Sequence, residues 1–554
     1  MRHDTPDVKR RSMAAGVAVL TVSNLLVKAA GLFFKIPMNR TVGDAGMGYY
    51  NAAASIYALF YMLSAAGLPL ALSVMIAEAR SAGNVLGAKQ IERRAAILFL
   101  LFGGAFSALM FFGAGPLSAL IRSENAEAAV RAAAPTVLFI AVSGAVRGMF
   151  QGCGCMTPTA ISQLLEATGK LFFGVGGALW AIRRGCSTPE VAAAAAAGLT
   201  IGSLIGMLYL LAVRFCRGDR DLLREDLRLQ NAPLPLGPCL RRLVSIALPV
   251  TLSAAVMSLS SMIDTASIQR ILRASGMGAE DAAALFGNYT SLAVPMFNLP
   301  PVFLYPVAAA LTPSLAADLA GGDRETARMR IRQSLRYAAA VGIPASVGLA
   351  VLAEPILSLL YRAESAKVAA PLLVLLAPSS FLLCILAVTN ACLQATGDQR
   401  KPVFSMALGA CVKAVGGVFL LGRFGIAGAP LSTFCCYLTV TALNLAFLLR
   451  RAGKAAVRGR DFAIPLGCGA LCGCAARLVW RTAASAAGSD AACLLAIGCA
   501  VLVYALSMLL TGGVGRDEIA ALAGRLTGKQ RKSPERNRYD RPGNERKAAH
   551  RGAA

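Results

Sequence analysis

The chain has 554 residues, 56% of them hydrophobic and only 15% charged, with a formal net charge of +26. Apolar runs of about 20 residues recur along nearly its whole length, which excludes a soluble domain and describes a polytopic membrane protein. The positive charge sits mainly in connections and in the carboxy-terminal tail, where the Lys/Arg bias of cytoplasmic loops accounts for it, so nucleic acid is not an expected partner.

Residues 1–13 form a basic amino-terminal segment, expected in the cytoplasm. The first apolar run, 14–38, is long enough to cross a bilayer yet carries Lys28 and Lys35. An ammonium at that depth costs at least a few kcal/mol unless it meets water, a partner or an anion. Their separation is close to two helical turns, so both lie on one face. Pro37 disturbs the helix near its end. The run is too long for a signal peptide and lacks a small-residue cleavage site, so it is expected to remain as an anchor.

Later runs predict spans at 47–76, 95–115, 131–152, 157–182, 190–213, 243–265, 283–316, 334–353, 368–396, 402–422, 426–449, 462–482 and 490–511, fourteen in all. The connections 77–94, 214–242, 317–333, 397–401 and 450–461 are rich in Arg and Lys. Those between them hold few cations, some offset by acids, as Arg122 is by Glu124 and Glu127. The bias places both termini in the cytoplasm, which an even number of spans requires. The eighth run holds Pro295, Pro300, Pro301, Pro306 and Pro313, so its helix must break or kink, and its first-half counterpart has Gly67 and Pro69. Asn51, Asn288 and Asn298 offer neutral polar groups for sugar hydroxyls or for bonds between helices. The tail 512–554 is basic, polar and expected to be disordered; it either attracts anionic lipid or only sets topology.

Pro135, Gln151, Gly154 and Lys170 recur at one constant spacing as Pro378, Gln394, Gly397 and Lys413. Arg40 with Gly46-Met47-Gly48 is answered by Arg270 with Gly276-Met277-Gly278. The order is the same in both halves and each half holds six spans, which predicts parallel repeats. The expected protein is all-α and integral to the membrane. A first six-helix lobe (14–213), a cytoplasmic linker (214–242) and a second six-helix lobe (243–449) surround a central cavity. Extra helices thirteen and fourteen (450–511) and the tail follow.

Ionisable residues inside the runs are few: Lys28, Lys35, Arg147, Glu166, Lys170, Asp264 and Lys413. A cavity lined by them is net positive and suits phosphate or another anion. Glu166 and Lys170 are spaced to pair on one helix face. Asp264 can pair with Arg270 or meet interfacial water, and Arg147 can snorkel. Lys413 has Gly409 where an acid would fall, and Lys28 and Lys35 have no acid within a turn, so these two lysines of the first span are the better ligand candidates. No Walker, G-x-S-x-G or H-E-x-x-H motif is present, so neither an enzyme nor a cofactor is expected. Cys153/Cys155 and Cys472/Cys474 look like metal pairs, but His3 and His550 lie at the two ends. The cysteines therefore read as small apolar residues.

The stretch NLLVKAAGLFFKIPMNRTVGDAGMGYYNAAASIYALFYMLSAAGLPLALS, with LQATGDQRKP in the second half, resembles the stage V sporulation protein B family. This is a polysaccharide-transporter branch of the multidrug/oligosaccharidyl-lipid/polysaccharide exporter superfamily, and the likeness extends over nearly all of 10–511. The resemblance implies fourteen helices in two lobes that flip an undecaprenyl-pyrophosphate-linked saccharide, lipid II or a related precursor, across the bacterial cytoplasmic membrane. Related MurJ-type lipid II flippases use cations of the first helix and central cavity for the pyrophosphate. Lys28 matches such a position, followed by the same x-x-Gly step; Lys35 fits with a one-residue shift. The expected substrate-binding set is Lys28, Lys35, Arg40, Asn51, Arg147, Lys170, Arg270 and Lys413. The expected partners are the lipid-linked saccharide and membrane lipids around a monomeric carrier, with a coupling ion left open. The alternatives are a cation-coupled multidrug exporter, which would want acids in the first-lobe cavity, and a transport-inactive scaffold for cell-wall or spore-cortex synthesis.

Overall fold

The computed structural model describes residues 6–65, 67–222, 235–398, 400–453 and 459–512; in the first helix, the surroundings of Gly31 and the side chains from Lys35 onward are described. The middle of the expected linker (223–234) and nearly all of the expected tail (513–554) lie outside the described residues. Within them every regular element is helical, as hydrocarbon demands of a chain that must satisfy its backbone polar groups internally.

The first helix, Pro6–Ala65, runs for 60 residues but is two helices joined at Gly43, whose φ of 77° and ψ of 174° no residue with a Cβ adopts cheaply. The break falls between the first two expected runs. The second of these is interrupted again where Leu68–Ser81 begins, with Gly67 at its N-cap and Pro69 in its first turn. Gly67 is required for a close approach: a Cβ there would lie 2.1 Å from the Ala247 carbonyl oxygen of helix Leu236–Ala274. The proline-rich eighth run is broken as its composition demands. It comprises Ala279–Asn288, a π turn at Tyr289–Ala293, the short helices Val294–Phe297 and Leu299–Val302, and then Tyr305–Ala320. Pro295, Pro300 and Pro306 each open one of these helices, where a missing N–H costs nothing. The chain bends by 41° between Ala279–Phe297 and Leu299–Ala308.

Nine helical stretches among the described residues are long and apolar enough to cross a bilayer, or ten if the bent pair is one span. That is fewer than the fourteen expected. Two of the stretches, Lys35–Ser81 and Arg400–Arg451, contain breaks; the second is the hairpin of Arg400–Phe424 against Gly428–Ala452. Thr157–Arg183, which carries Glu166 and Lys170, and Leu236–Ala274, which carries Asp264, are not among the nine.

Helices Val85–Phe112, Glu127–Gly152, Thr157–Arg183 and Thr188–Leu222 pack on one another and on the first two helices, making an amino-terminal group. Arg324–Val351, Ala363–Ala395, Arg400–Phe424 and Gly428–Ala452 make a carboxy-terminal group, against which Arg460–Ala487 and Ser489–Leu510 pack as a pair. The cores show how the groups meet. At one end a single apolar core runs through both, from Met47, Ile56 and Ala133 to Phe286, Leu357 and Leu376. At the other end the core divides. Leu72, Phe99 and Phe150 belong to one part, with Leu243 from the start of Leu236–Ala274; Leu315, Leu335 and Leu393 belong to a separate one. Apart from the start of Leu236–Ala274, which packs on Leu68–Ser81, the bundle is thus joined at one end and split at the other.

Candidate functional site

The joined end is held by polar contacts centred on the turn after Pro37. Asp44 follows the Gly43 break and receives hydrogen bonds from Asn288 Nδ2 (3.1 Å) and Ser365 Oγ (2.7 Å) of the carboxy-terminal group, and from Asn39 Nδ2 (3.3 Å) of its own helix. Arg40 Nε donates to the Leu360 carbonyl at 3.1 Å, while Arg362 donates back to the Arg40 carbonyl at 2.7 Å. Arg273 pairs with Glu124 at 2.7 Å. Two glycines permit this approach: a Cβ on Gly48 would lie 2.0 Å from the Ala283 carbonyl oxygen, and one on Gly287 would lie 2.2 Å from that of Asp44.

Below this latch the π turn supplies the next contacts. A π turn leaves carbonyls out of the regular ladder, and here two are taken from elsewhere. Lys35 Nζ donates to the Thr290 carbonyl at 2.9 Å, and the Tyr361 hydroxyl donates to that of Ser291 at 3.3 Å. Asn51 Nδ2 donates to Ser291 Oγ at 2.5 Å. Lys35 and Gly31 then face Pro295, Asn298, Leu299 and Tyr305 across a cavity of about 350 Å³ between the two groups.

The remaining intramembrane charges fall into two unlike sets. In the amino-terminal group Arg147 donates to Ser162 Oγ at 3.0 Å and pairs with Glu166 at 3.0 Å, with 11% and 27% of the two charged side chains exposed. This corrects the expected Glu166–Lys170 pair: the guanidinium reaches Glu166 from the neighbouring helix. Lys170, partly buried, is left with no hydrogen-bond or ion-pair partner among the described residues. In the carboxy-terminal group Lys413, the repeat counterpart of Lys170, pairs with Asp264 from Leu236–Ala274. Asp264 therefore does not serve Arg270, and Lys413 is not the free cation its own helix implied. Arg270 is exposed, with no partner among the described residues.

The structure brings Lys35, Arg40 and Asn51 of the expected binding set to the contact between the groups, and places Arg147 and Lys170 on facing helices of the amino-terminal group. It sets Lys413 in an ion pair and Arg270 on the surface. The Lys28 side chain lies outside the described residues. Arg40 contributes to the latch and not to the cavity lining. Of the three asparagines, Asn51 and Asn288 bond between helices, and Asn298 bonds back to the Val294 carbonyl beside the cavity. Sequence reasoning missed Asp44, Ser365 and Tyr361. A carboxylate one turn after Arg40, beside a glycine break, was the available signal for the first. Nothing local marks the other two, because their partners lie far away in the chain, 70 residues for Tyr361 and 321 for Ser365.

A family model described as polysaccharide biosynthesis protein matches residues 13–317, and a second, MatE, matches 249–419. Stage V sporulation protein B of Bacillus subtilis (strain 168) is 24% identical over 519 residues, covering 92% of this chain and 97% of that protein. Lipid II flippase MurJ of the same organism is 24% identical over 454 residues, covering 79% and 82%. Among solved structures, lipid II flippase MurJ in an inward closed conformation superposes with a TM-score of 0.64 at 12% identity, over 89% of this chain and 98% of the other, a likeness of fold.

Proposed function

This chain belongs to the family of polysaccharide biosynthesis proteins, and we propose that it flips an undecaprenyl-pyrophosphate-linked saccharide, lipid II or a related precursor, across the cytoplasmic membrane by alternating access. The observation that carries the reading is the division of the core: one apolar core shared at the Asp44 end, two separate cores at the other, and a cavity with Lys35 between the groups. An interface latched at one end and split at the other describes one of the two states a rocking carrier needs.

In this reading the two groups are six-helix lobes with boundaries at 14–213 and 243–449, followed by helices thirteen and fourteen. The charge bias of the connections puts the split end in the cytoplasm, along with both termini. The inward-facing cleft admits the headgroup while the polyprenyl tail stays in lipid. Lys28, Lys35 and Lys170 neutralise the pyrophosphate, and Asn51 and Asn298 lie beside it as neutral donors. The carrier is a monomer, and its ion coupling is not assigned.

The MatE match favours a second reading, a multidrug exporter. Organic cations want carboxylates, however. Of the carboxylates the amino-terminal group holds near Lys35, Lys170 and Arg147, Glu166 is already occupied by Arg147, and Asp44 by Asn39, Asn288 and Ser365. Reconstitution in proteoliposomes separates the readings. Flipping of a defined lipid-linked saccharide is expected, with loss of more than about tenfold in a Lys28→Ala, Lys35→Ala variant. Transport of organic cations with no flipping would replace the proposal by the exporter. Absence of both, with cell-wall function preserved by the same variant, would replace it by a scaffold.

A further inference from the structure

One face of the amino-terminal group carries polar groups that the ion pairs leave unused. Tyr57 and Tyr61 are one turn apart on the helix after Gly43, with rings stacked at 5.9 Å between centroids and 22° between planes. Both are partly exposed, and neither hydroxyl has a partner among the described residues. They lie within electrostatic reach of Glu166 and Arg147. Gln163, one turn before Glu166 on Thr157–Arg183, holds its Oε1 buried with no hydrogen-bond partner among the described residues. Polar groups at bilayer depth need water or a ligand when protein does not supply a partner.

These groups adjoin the anion site. Ser162, Glu166 and Lys170 follow one another at four-residue steps, each about 6 Å further along one helix face. Lys170 at the far end is within electrostatic reach of Lys35 at the cavity. The line thus runs from two ammonium groups to a carboxylate–guanidinium pair flanked by two tyrosines. Arg147 takes only Oε2 of Glu166, so Oε1 is left to accept from a ligand. Aromatic rings for C–H faces, with tyrosine hydroxyls, an amide and a carboxylate for hydroxyl groups, make a set suited to a sugar ring.

We propose that Tyr57, Tyr61, Gln163, Arg147 and Glu166 form a saccharide subsite that receives the sugar attached to the pyrophosphate held by Lys35 and Lys170. The inference rests on the transport reading and deepens it. It names the residues that read the sugar and orients the substrate, with the pyrophosphate toward Lys35 and the sugar toward the split end of the bundle.

The test uses the full-length protein in detergent and two probes, undecaprenyl pyrophosphate and the same lipid carrying one N-acetylhexosamine, with binding read by native mass spectrometry. Wild type is expected to bind the glycosylated probe more tightly. Tyr57→Ala with Tyr61→Ala is expected to weaken that probe about tenfold and leave the sugar-free probe within about twofold, which also certifies the fold. Lys170→Ala is expected to weaken both. If the alanine pair does not fold, Tyr57→Phe with Tyr61→Phe keeps the rings and carries the test, with a selective loss of about threefold expected. Equal loss of both probes, or no loss of the glycosylated one, overturns the subsite and leaves the transport reading standing. Binding of neither probe by wild type overturns the transport reading, and the subsite with it.

Discussion

Replacing Asp44 by alanine is expected to open the latched end. Of its three donors, Asn288 and Ser365 reach across from the carboxy-terminal group, and both are 3% exposed. Hydrogen bonds to a charged group are worth about 1.5–3 kcal/mol when made. In the open state water replaces these donors, so the net loss on truncation is nearer about 1 kcal/mol each. Two such bonds make roughly 2 kcal/mol, about a thirtyfold shift in the ratio of closed to open forms. Spin labels at Arg122 and Met277, exposed positions on the two groups at that end, report the ratio in a cysteine-replaced background. Asp44→Ala is expected to move population to the longer distance, and Asp44→Asn, which keeps an acceptor, to move less. A distance distribution unchanged in Asp44→Ala would refute the assignment of Asp44 as the pin of the closed state.

Two further outcomes follow from contacts already described. Gly48→Ala forces a Cβ to 2.0 Å from the Ala283 carbonyl, whereas Gly104→Ala meets nothing within 4 Å. The first is expected to lengthen the same label distance and slow flipping, and the second to do neither. The repeat-related lysines are expected to differ in kind. Lys413→Ala strands Asp264 and is expected to cost about 2–3 kcal/mol, discounted for partial exposure and visible as a lowered unfolding temperature in detergent. Lys170→Ala removes a cation with no partner among the described residues, so it is expected to leave the unfolding temperature unchanged or raised while flipping falls.

Much of the architecture was legible because hydrocarbon leaves few choices. Long apolar runs read as helices, and the proline run from Pro295 to Pro313 read as a broken one; both outcomes follow from backbone satisfaction. The number of spans was less secure. Helices that carry charge in mid-span, such as Thr157–Arg183, fall short in apolarity, and joined runs such as Lys35–Ser81 hide their breaks. Lys35 and Asn51 stood out as polar residues in an apolar context, and the structure places both at the contact between the groups. Pairings were legible only within a helix. The i, i+4 rule proposed Glu166 for Lys170, but a neighbouring helix delivered Arg147 instead. Asp264 and Lys413 gave no sequence signal of meeting, because helix packing alone brings residues so far apart in the chain together.

The contrast between Lys170 and Lys413 has an electrical consequence. The Lys413–Asp264 pair carries no net charge, so its displacement moves none across the membrane field. Lys35 and Lys170 have no carboxylate partner, so the empty carrier presents their charge to the field, whereas a bound pyrophosphate cancels it. Each uncancelled charge that crosses the full field is worth about 2.3 kcal/mol per 100 mV. On the proposed function, an inside-negative potential acts less on the loaded stroke than on the empty one. It draws the vacant carrier back to the cytoplasm-facing form and holds it there until the next headgroup arrives.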